Sequence, residues 1–391
     1  MPHILIPNNS DNITTPSKLD GVSFNFEAKS IYNGDTKICI TNKDKDFLLT
    51  KKIKTDGTLI KFDKPTRVTP ISIVKEAINT YAKSTNSQVL FSNINHNDKK
   101  VAPKKEYLKD INYFVDEFKT DKEIWVEIGF GSGRHILHQA IKNPDIQFIG
   151  LEIHTPSIEQ MLKQAKLQNI DNILAVNYDA RLFMEFLKSN SVGKIFVHFP
   201  VPWDKKPHRR IYSHKFIQEA LRVLKIDGSL ELRTDSENYY EFCSGLLESY
   251  PNVDIQKNQE LDVSSKYEDR WKKQGKNIYD LTLVAKENSD NKDLDSDFSF
   301  TKPIDFKTIQ NTIDRKSQIQ DDFFVHFEDV LTINNDENSG LIALTFGSFN
   351  APVTKYLIIQ NNKVSYFQGA PIPTTSNHKA HQKIKQMLGL L

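Results

Sequence analysis

Residues 127–133 read EIGFGSG and follow a short apolar run, Ile124, Trp125 and Val126. An acid closing such a run, then glycines at 129, 131 and 133, describes a tight turn after a strand. Glycine tolerates φ > 0 and has no Cβ, so a nucleotide-like ligand can approach the backbone there. The spacing excludes a dinucleotide fingerprint. That pattern needs its third glycine where this chain has Arg134. An ordinary tight connection also uses glycine, so the loop alone does not fix the chemistry.

Two further acids extend the pattern. Residues 147–152 (QFIGLE) read as a second buried strand ending in Glu152. An acid about 20 residues beyond a glycine loop sits at the tip of the second strand and can accept from ribose hydroxyls. Between them, residues 135–142 have helical apolar spacing and stop before Pro144. A third strand over 173–177 leads to Asp179, where an adenine amino group would find an acceptor. One carboxylate of this kind is ordinary solvated surface. Three at successive strand ends of one βαβαβ run are hard to assign to chance.

Two loops carry the remaining chemistry. A fourth strand over 194–199 runs into residues 200–210 (PVPWDKKPHRR). In α/β sheets ligands bind outside the carboxyl ends of the strands, so this loop should face the crevice of the glycine loop. Prolines stiffen it, and Trp203 offers a flat apolar surface. Lys205, Lys206, Arg209 and Arg210 form a basic cluster suited to phosphates. An aromatic flanked by cations is a stacking-plus-phosphate arrangement seen in RNA contact. A solvated basic loop is the plain alternative. A fifth strand over 228–233 ends in Thr234 and Asp235, and two more strands fall near 253–261 and 278–284. Before the last lies a mixed aromatic and charged stretch, residues 264–275 (SSKYEDRWKKQG), suited to a base and its backbone.

At 391 residues the chain should hold more than one domain. Charged residues at 26% and hydrophobic residues at 38% suit a soluble globular protein. The formal net charge of +2 means that any nucleic-acid surface must be local. Two distant cysteines, Cys39 and Cys243, argue against a disulfide framework and a zinc site, and no metal is expected. They fit a reducing cytosol, so a cytoplasmic location is expected. The N-terminus lacks the charged and apolar regions of a signal peptide, and no apolar stretch approaches the ~20 residues that span a membrane.

Three segments emerge. Residues 1–92 read as a small mixed α/β accessory domain, with turn signals at Asn33–Gly34 and Asp56–Gly57 and a helix over 71–83. Polar residues 93–105 read as a linker. Residues 106–286 carry the alternating strand and helix pattern, and residues 287–293 form a second polar linker. Residues 302–391 read as a β-rich accessory domain, with a hairpin turning at Asn361–Asn362 and a closing helix from about 378. The first flank carries more lysines than acids, which leaves room for a weak accessory RNA surface. A structural appendage explains it as well.

The motifs EIGFGSG (127–133), GLEIH (150–154), FPVPW (199–203), HRR (208–210), Thr234–Asp235 and SKYE (265–268) occur in order. Over residues 106–286 this set resembles bacterial tRNA (guanine-N7-)-methyltransferases of the TrmB type. The resemblance implies a class I S-adenosyl-L-methionine (SAM)-dependent methyltransferase fold, a Rossmann-like, seven-stranded, doubly wound α/β sheet. Here it is flanked by smaller N- and C-terminal β-containing regions. It implies Glu127, Gly129, Gly131, Gly133, Glu152 and Asp179 for SAM. It implies Lys205, Asp235, Ser265, Lys266, Tyr267 and Glu268 for the guanine or the tRNA. The reaction implied is methyl transfer from SAM to N7 of a guanine in the tRNA variable loop.

The chain departs from the family in two places. Val201 replaces an aspartate that the family treats as catalytic, and Ser265 replaces a threonine. The serine keeps the hydroxyl; the valine removes a carboxylate. Guanine N7 carries an in-plane lone pair and no hydrogen, so its methylation is a task of proximity and orientation and needs no base at the attacked atom. An exocyclic amine would need its protons engaged. Val201 therefore speaks against amine methylation more than against N7 methylation. N7 chemistry does need an acceptor for the N1–H and N2–H edge of guanine, and Asp235 is the candidate. Asp204, in the same loop, is a candidate stand-in for the missing carboxylate. Two other readings stay open. One is a tRNA-binding module that has lost catalysis. The other is a small-molecule methyltransferase, which leaves the Trp203 loop unexplained.

Overall fold

The computed structural model describes residues 1–391 except 67, 69, 95–104, 261–274, 294–296 and 335. The chain divides into two compact units, Lys99–Leu294 and a second built from Met1–Asp98 with Asp295–Leu391.

The first unit is a sheet sandwiched by helices. Its described strands lie in the order Val253–Lys257, Tyr279–Val284, Leu224–Thr234, Val192–His198, Ile124–Ile128, Gln147–Leu151, Ile173–Val176 and Leu108–Lys109. Tyr279–Val284 is antiparallel to both its neighbours, and the other pairs are parallel. Seven of these strands are those expected. The additional one, Leu108–Lys109, is a two-residue edge too short to show a period. Val253–Lys257 stops short of the expected 261, because Asn258 turns into positive φ (58°).

Alternation along the strands builds a core on each face. Val126 and Ile128 join Ile149, Leu151 and Val197 on one side, under the helices His214–Val223 and Glu237–Leu247. Phe148, Ile173 and Ala175 face the other side, under Arg134–Lys142 and Thr155–Leu167. Ser213 and Ser236 start two of these helices by accepting from the Phe216 and Tyr239 amides.

Sequence reading sets residues 1–92 and 302–391 apart, whereas the structure joins them in one twelve-stranded sheet. The join is the antiparallel pairing of Phe324–Ile333 with Val22–Ser30, in register Leu331 with Ser30 and Ile333 with Ala28. Each flank keeps an apolar cluster of its own. A third cluster spans the seam, where Ala28, Cys39 and Leu48 meet Leu331, Leu341 and Tyr356. Ser30 Oγ donates to Asp329 at 2.8 Å and the Asn334 amide to the Glu27 carbonyl at 2.8 Å. Within the flanks, the helix over 72–84 is present, and Asn361 and Asn362 take φ of 52° and 59° in the expected hairpin turn. The closing helix is Thr375–Met387, starting earlier than expected because Thr374 caps it by accepting from the Asn377 amide.

A cavity at the seam should therefore loosen both flanks together. Leu331→Ala should cost about 2–5 kcal/mol in denaturant unfolding. Hydrogen exchange should quicken in residues 22–62 as well as in 324–366. Protection in 22–62 that stays at the parent level would contradict a shared cooperative unit.

Candidate active site

The strand order turns back on itself beside Ile124–Ile128, which has Gln147–Leu151 on one side and Val192–His198 on the other. A crevice opens at such a reversal, outside the carboxyl ends of the strands. Backbone bonds lock those ends side by side. Gly129 N donates to Leu151 O (2.7 Å), Glu152 N to Val176 O (3.2 Å) and Phe199 N to Arg233 O (2.7 Å). Five neighbouring strand ends thus carry Glu127 with the glycine loop, Glu152, the approach to Asp179, the 199–210 loop, and Thr234–Asp235.

The three glycines have φ of 70°, 52° and 77°. They differ in what demands them. A Cβ at Gly133 would lie 2.3 Å from Met161 Cγ, so packing excludes it. A Cβ at Gly129 would meet nothing within 4 Å, and at Gly131 only the Gly129 carbonyl at 3.9 Å. Those two keep a surface bare for something outside the protein. A bare loop of this kind would admit SAM, the cofactor that the resemblance implies, and the residues present fit that group.

Glu152 anchors the cradle. Its Oε2 accepts from Gly131 N at 2.9 Å, and Oε1 accepts from the Ile153 and His154 amides at 2.9 Å each. Asp179 caps the helix Ala180–Phe183 by accepting from Arg181 N, and it is gripped by the same residue's Nε and Nη2 (3.0 and 2.6 Å). Oδ1 holds two of these bonds and Oδ2 one, which leaves a lone pair on Oδ2 for a further donor.

Glu127 is buried and accepts from His135 Nδ1 at 2.8 Å. Burial works against a charged imidazole, but the charge and hydrogen bond of Glu127, helped by Glu231, outweigh it and raise the His135 pKa above 6.5. Its neighbour His198, with ring centres 4.4 Å apart, moves the other way. Burial, then the charges of His135 and Arg233, hold His198 neutral well below its ordinary range. Sequence reading missed this pair. Its signal was alternation in a sheet expected to be apolar on both faces: Lys194 and His198 on one strand, Ser229, Glu231 and Arg233 on the next. His135, Lys194, His198 and Glu231 border a cavity of about 330 Å³ whose walls include Trp125, His138 and Asp280.

The 199–210 loop is braced from within. Phe199 and Trp203 both take positive φ, 50° and 48°, which costs energy in bulky residues and needs support. Arg210 supplies it. Its Nε donates to the Pro202 carbonyl at 2.7 Å, and its guanidinium lies 4.5 Å from the Phe242 ring centre and 5.5 Å from that of Tyr239. The expected cluster of four basic residues therefore divides. Arg210 turns inward, while Lys205, Lys206 and Arg209 are exposed, with Arg209 lying 5.1 Å over the Trp203 ring. Asp204, the suggested stand-in for the missing acid, pairs with Arg210 at 3.3 Å, and Val201 is 60% exposed.

Asp235 sits one residue before the cap of Glu237–Leu247 and pairs with Lys276 Nζ at 2.9 Å. Ser265, Lys266, Tyr267 and Glu268 lie outside the described residues. Among the described residues no group of three His, Cys, Asp or Glu could hold a metal, and no helix is long and apolar enough to cross a membrane.

Strand order with a single antiparallel strand among those described, and a bare glycine cradle after the first central strand, define a class I SAM-dependent methyltransferase. A family model described as "Putative methyltransferase" matches residues 121–281. A tRNA (guanine-N(7)-)-methyltransferase of Wolinella succinogenes is 42% identical over 99% of this chain and 100% of its own length. Relatives of the same name from Campylobacter fetus (38%, covering 96% of each chain) and Helicobacter pylori (38%, covering 99% of this chain and 98% of the relative) are also similar. The chain belongs to the tRNA (guanine-N7-)-methyltransferase family. The similarity runs through both flanks as well as the central unit.

The Glu127–His135 pair gives a pH test. A raised folded pKa stabilises the fold fully below about pH 6.5, and that contribution is lost as the pH rises through the folded value. Titration of the imidazoles by NMR should place His135 above 6.5 and His198 far below it. In Glu127→Gln the His135 titration should fall, since burial is then opposed chiefly by Glu231. An unmoved titration would show that Glu127 is not what holds the proton.

Proposed function

We propose that this chain transfers the methyl group of SAM to N7 of a guanine in the variable loop of tRNA. The observation that carries the reading is a site drawn from five adjacent strand ends, in a chain similar over nearly its whole length to enzymes of that name. When bound, SAM supplies an electrophilic methyl group on a sulfonium. Gly129 and Gly131 would admit it to the backbone, and Glu127, Glu152 and Asp179 would hold its polar groups.

The protein's work is then orientation. N7 presents its lone pair without losing a proton, so the site must align the base rather than deprotonate it. Asp235 would accept from the N1–H and N2–H edge, a donor pair that only guanine presents. Lys276 beside it keeps the carboxylate turned to that task. Trp203 gives the loop an aromatic face, and Lys205, Lys206 and Arg209 suit the phosphates of the tRNA. Residues 265–268 would add contacts to the base or backbone. Asp204 makes one contact with Arg210, at 3.3 Å, and is half exposed; N7 as the target asks for no base from this loop. Val201 favours the binding-only reading just enough to require a test.

Asp235→Ala should lower kcat/KM for tRNA by about 100-fold or more, while SAM affinity stays near that of the parent. Loss of SAM binding in that variant would contradict the assignment. Glu152→Ala removes one charge-assisted bond to the cradle, from Gly131, and two to the Ile153 and His154 amides, and should raise the SAM Kd by about 10–100-fold in calorimetry. An unchanged Kd would sink its role.

A further inference from the structure

Glu127 has two carboxylate oxygens and one partner. Its side chain is only 4% exposed. Oε2 accepts from His135 Nδ1 at 2.8 Å, and Oε1 has no hydrogen-bond partner among the described residues. A carboxylate this deeply buried calls for donors at both oxygens. Glu127 stands two residues before Gly129, near the carboxyl end of the strand Ile124–Ile128 that opens into the bare glycine loop.

His135 depends on that carboxylate for its second proton. Burial opposes a charged ring, and so does the charge of Arg233. The ring also lies in the first turn of Arg134–Lys142, where the helix dipole opposes a cation. Glu127, helped by Glu231, stands against all three. His198 faces the ring from the sheet, 4.4 Å away between centres, and burial first of all keeps it uncharged. His138, Lys194, Glu260 and Asp280 border the same cavity. Lys194 and Asp280 have partners of opposite charge, Glu231 at 3.0 Å and Arg233 at 2.6 Å. At Nε2 the ring meets the Gln139 side-chain amide at 3.3 Å. That amide can donate or accept according to which face is turned, so it suits either protonation state and supplies no charge.

SAM carries a net positive charge, since its sulfonium and ammonium outweigh its one carboxylate. We propose that His135 is a positioning residue for SAM: it holds Glu127 ready in the empty site and releases a proton to solvent when the cofactor binds. One carboxylate then serves two cations in turn. The proton lost is that on Nε2, so Nδ1–H continues to donate to Glu127 and the carboxylate keeps its direction. Oε1 is left for the cofactor. The inference rests on the reading of Glu127 as a SAM residue. By linkage, whatever factor SAM binding takes from the proton's affinity, the proton takes from that of SAM.

Two measurements on the full chain test this, and neither needs turnover. NMR titration of the imidazoles, with and without saturating SAM, should show the His135 midpoint falling by about one pH unit on binding. Calorimetry of SAM binding near pH 6.5, in two buffers of different ionisation enthalpy, should show release of roughly 0.3–0.6 proton. The SAM Kd should tighten by about 3–10-fold from pH 5.5 to 7.5. His135→Asn keeps a neutral donor for Glu127, so its Kd should change less than about twofold over that range and its proton release should vanish. If that variant does not fold, the parent titration decides alone. SAM bound with the His135 midpoint unmoved overturns the proposal, and so does proton release that persists in His135→Asn. A parent chain that binds no SAM brings down the cofactor reading and this one with it. SAM bound without methylation of tRNA brings down the function reading alone, and the proton count still decides the role of His135.

Discussion

After Ile173–Val176 the chain must cross back over its first strand to reach the other side of the sheet, and that crossing fixes where chemistry can occur. Parallel pairing then obliges Ile124–Ile128, Gln147–Leu151, Ile173–Val176, Val192–His198 and Leu224–Thr234 to end on one edge. Neighbouring strands lie about 4.8 Å apart, so five loops far apart in sequence are delivered to one crevice without any long-range tether. The glycine cradle, its Glu152 anchor and the Asp235 strand end are consequences of that edge.

The same geometry sets the charge balance beneath the crevice. One face of the central strands carries Glu127, His198, Glu231 and Arg233 instead of the apolar residues that a covered sheet would need. Each charge has a reason to stay. Glu127 favours the protonated form of His135, and burial, reinforced by the charges of His135 and Arg233, disfavours the charged form of His198. Arg233 faces Asp280. Such pairs contribute little net stability, but they fix side-chain direction. A reaction at guanine N7 asks for fixed direction and for no base. On the proposed function, Val201 is compatible with catalysis because the chemistry at N7 depends on alignment.

What could be read in the sequence followed from local period and spacing. The apolar run into EIGFGSG, and the acids closing the next two strands, place the cradle, Glu152 and Asp179 where the structure has them. What could not be read depends on contacts without a local period. Nothing in residues 200–210 marks Arg210 as the member that turns inward onto Phe242 and Pro202, since a basic run looks alike from either side. Glu152 reads as a ribose acceptor, whereas it also holds the glycine loop by accepting from the Gly131 amide. The flanks read as two small regions because each has its own turns and its own core. The pairing of Val22–Ser30 with Phe324–Ile333 joins segments about 300 residues apart, and no short window contains it. His135 was visible only as a polar residue in a helix, and its partner Glu127 only as part of a glycine motif.

The central claim is that this chain aligns a tRNA guanine for methylation at N7 without an acid at position 201. It is tested most directly with purified protein, tritiated SAM and an unmodified tRNA transcript, followed by borohydride and aniline cleavage to locate 7-methylguanine. The account predicts tritium in the tRNA and cleavage at one variable-loop guanine. Transcripts that are bound but left unmethylated and uncut would contradict it, and would leave a tRNA-binding protein built on a methyltransferase fold.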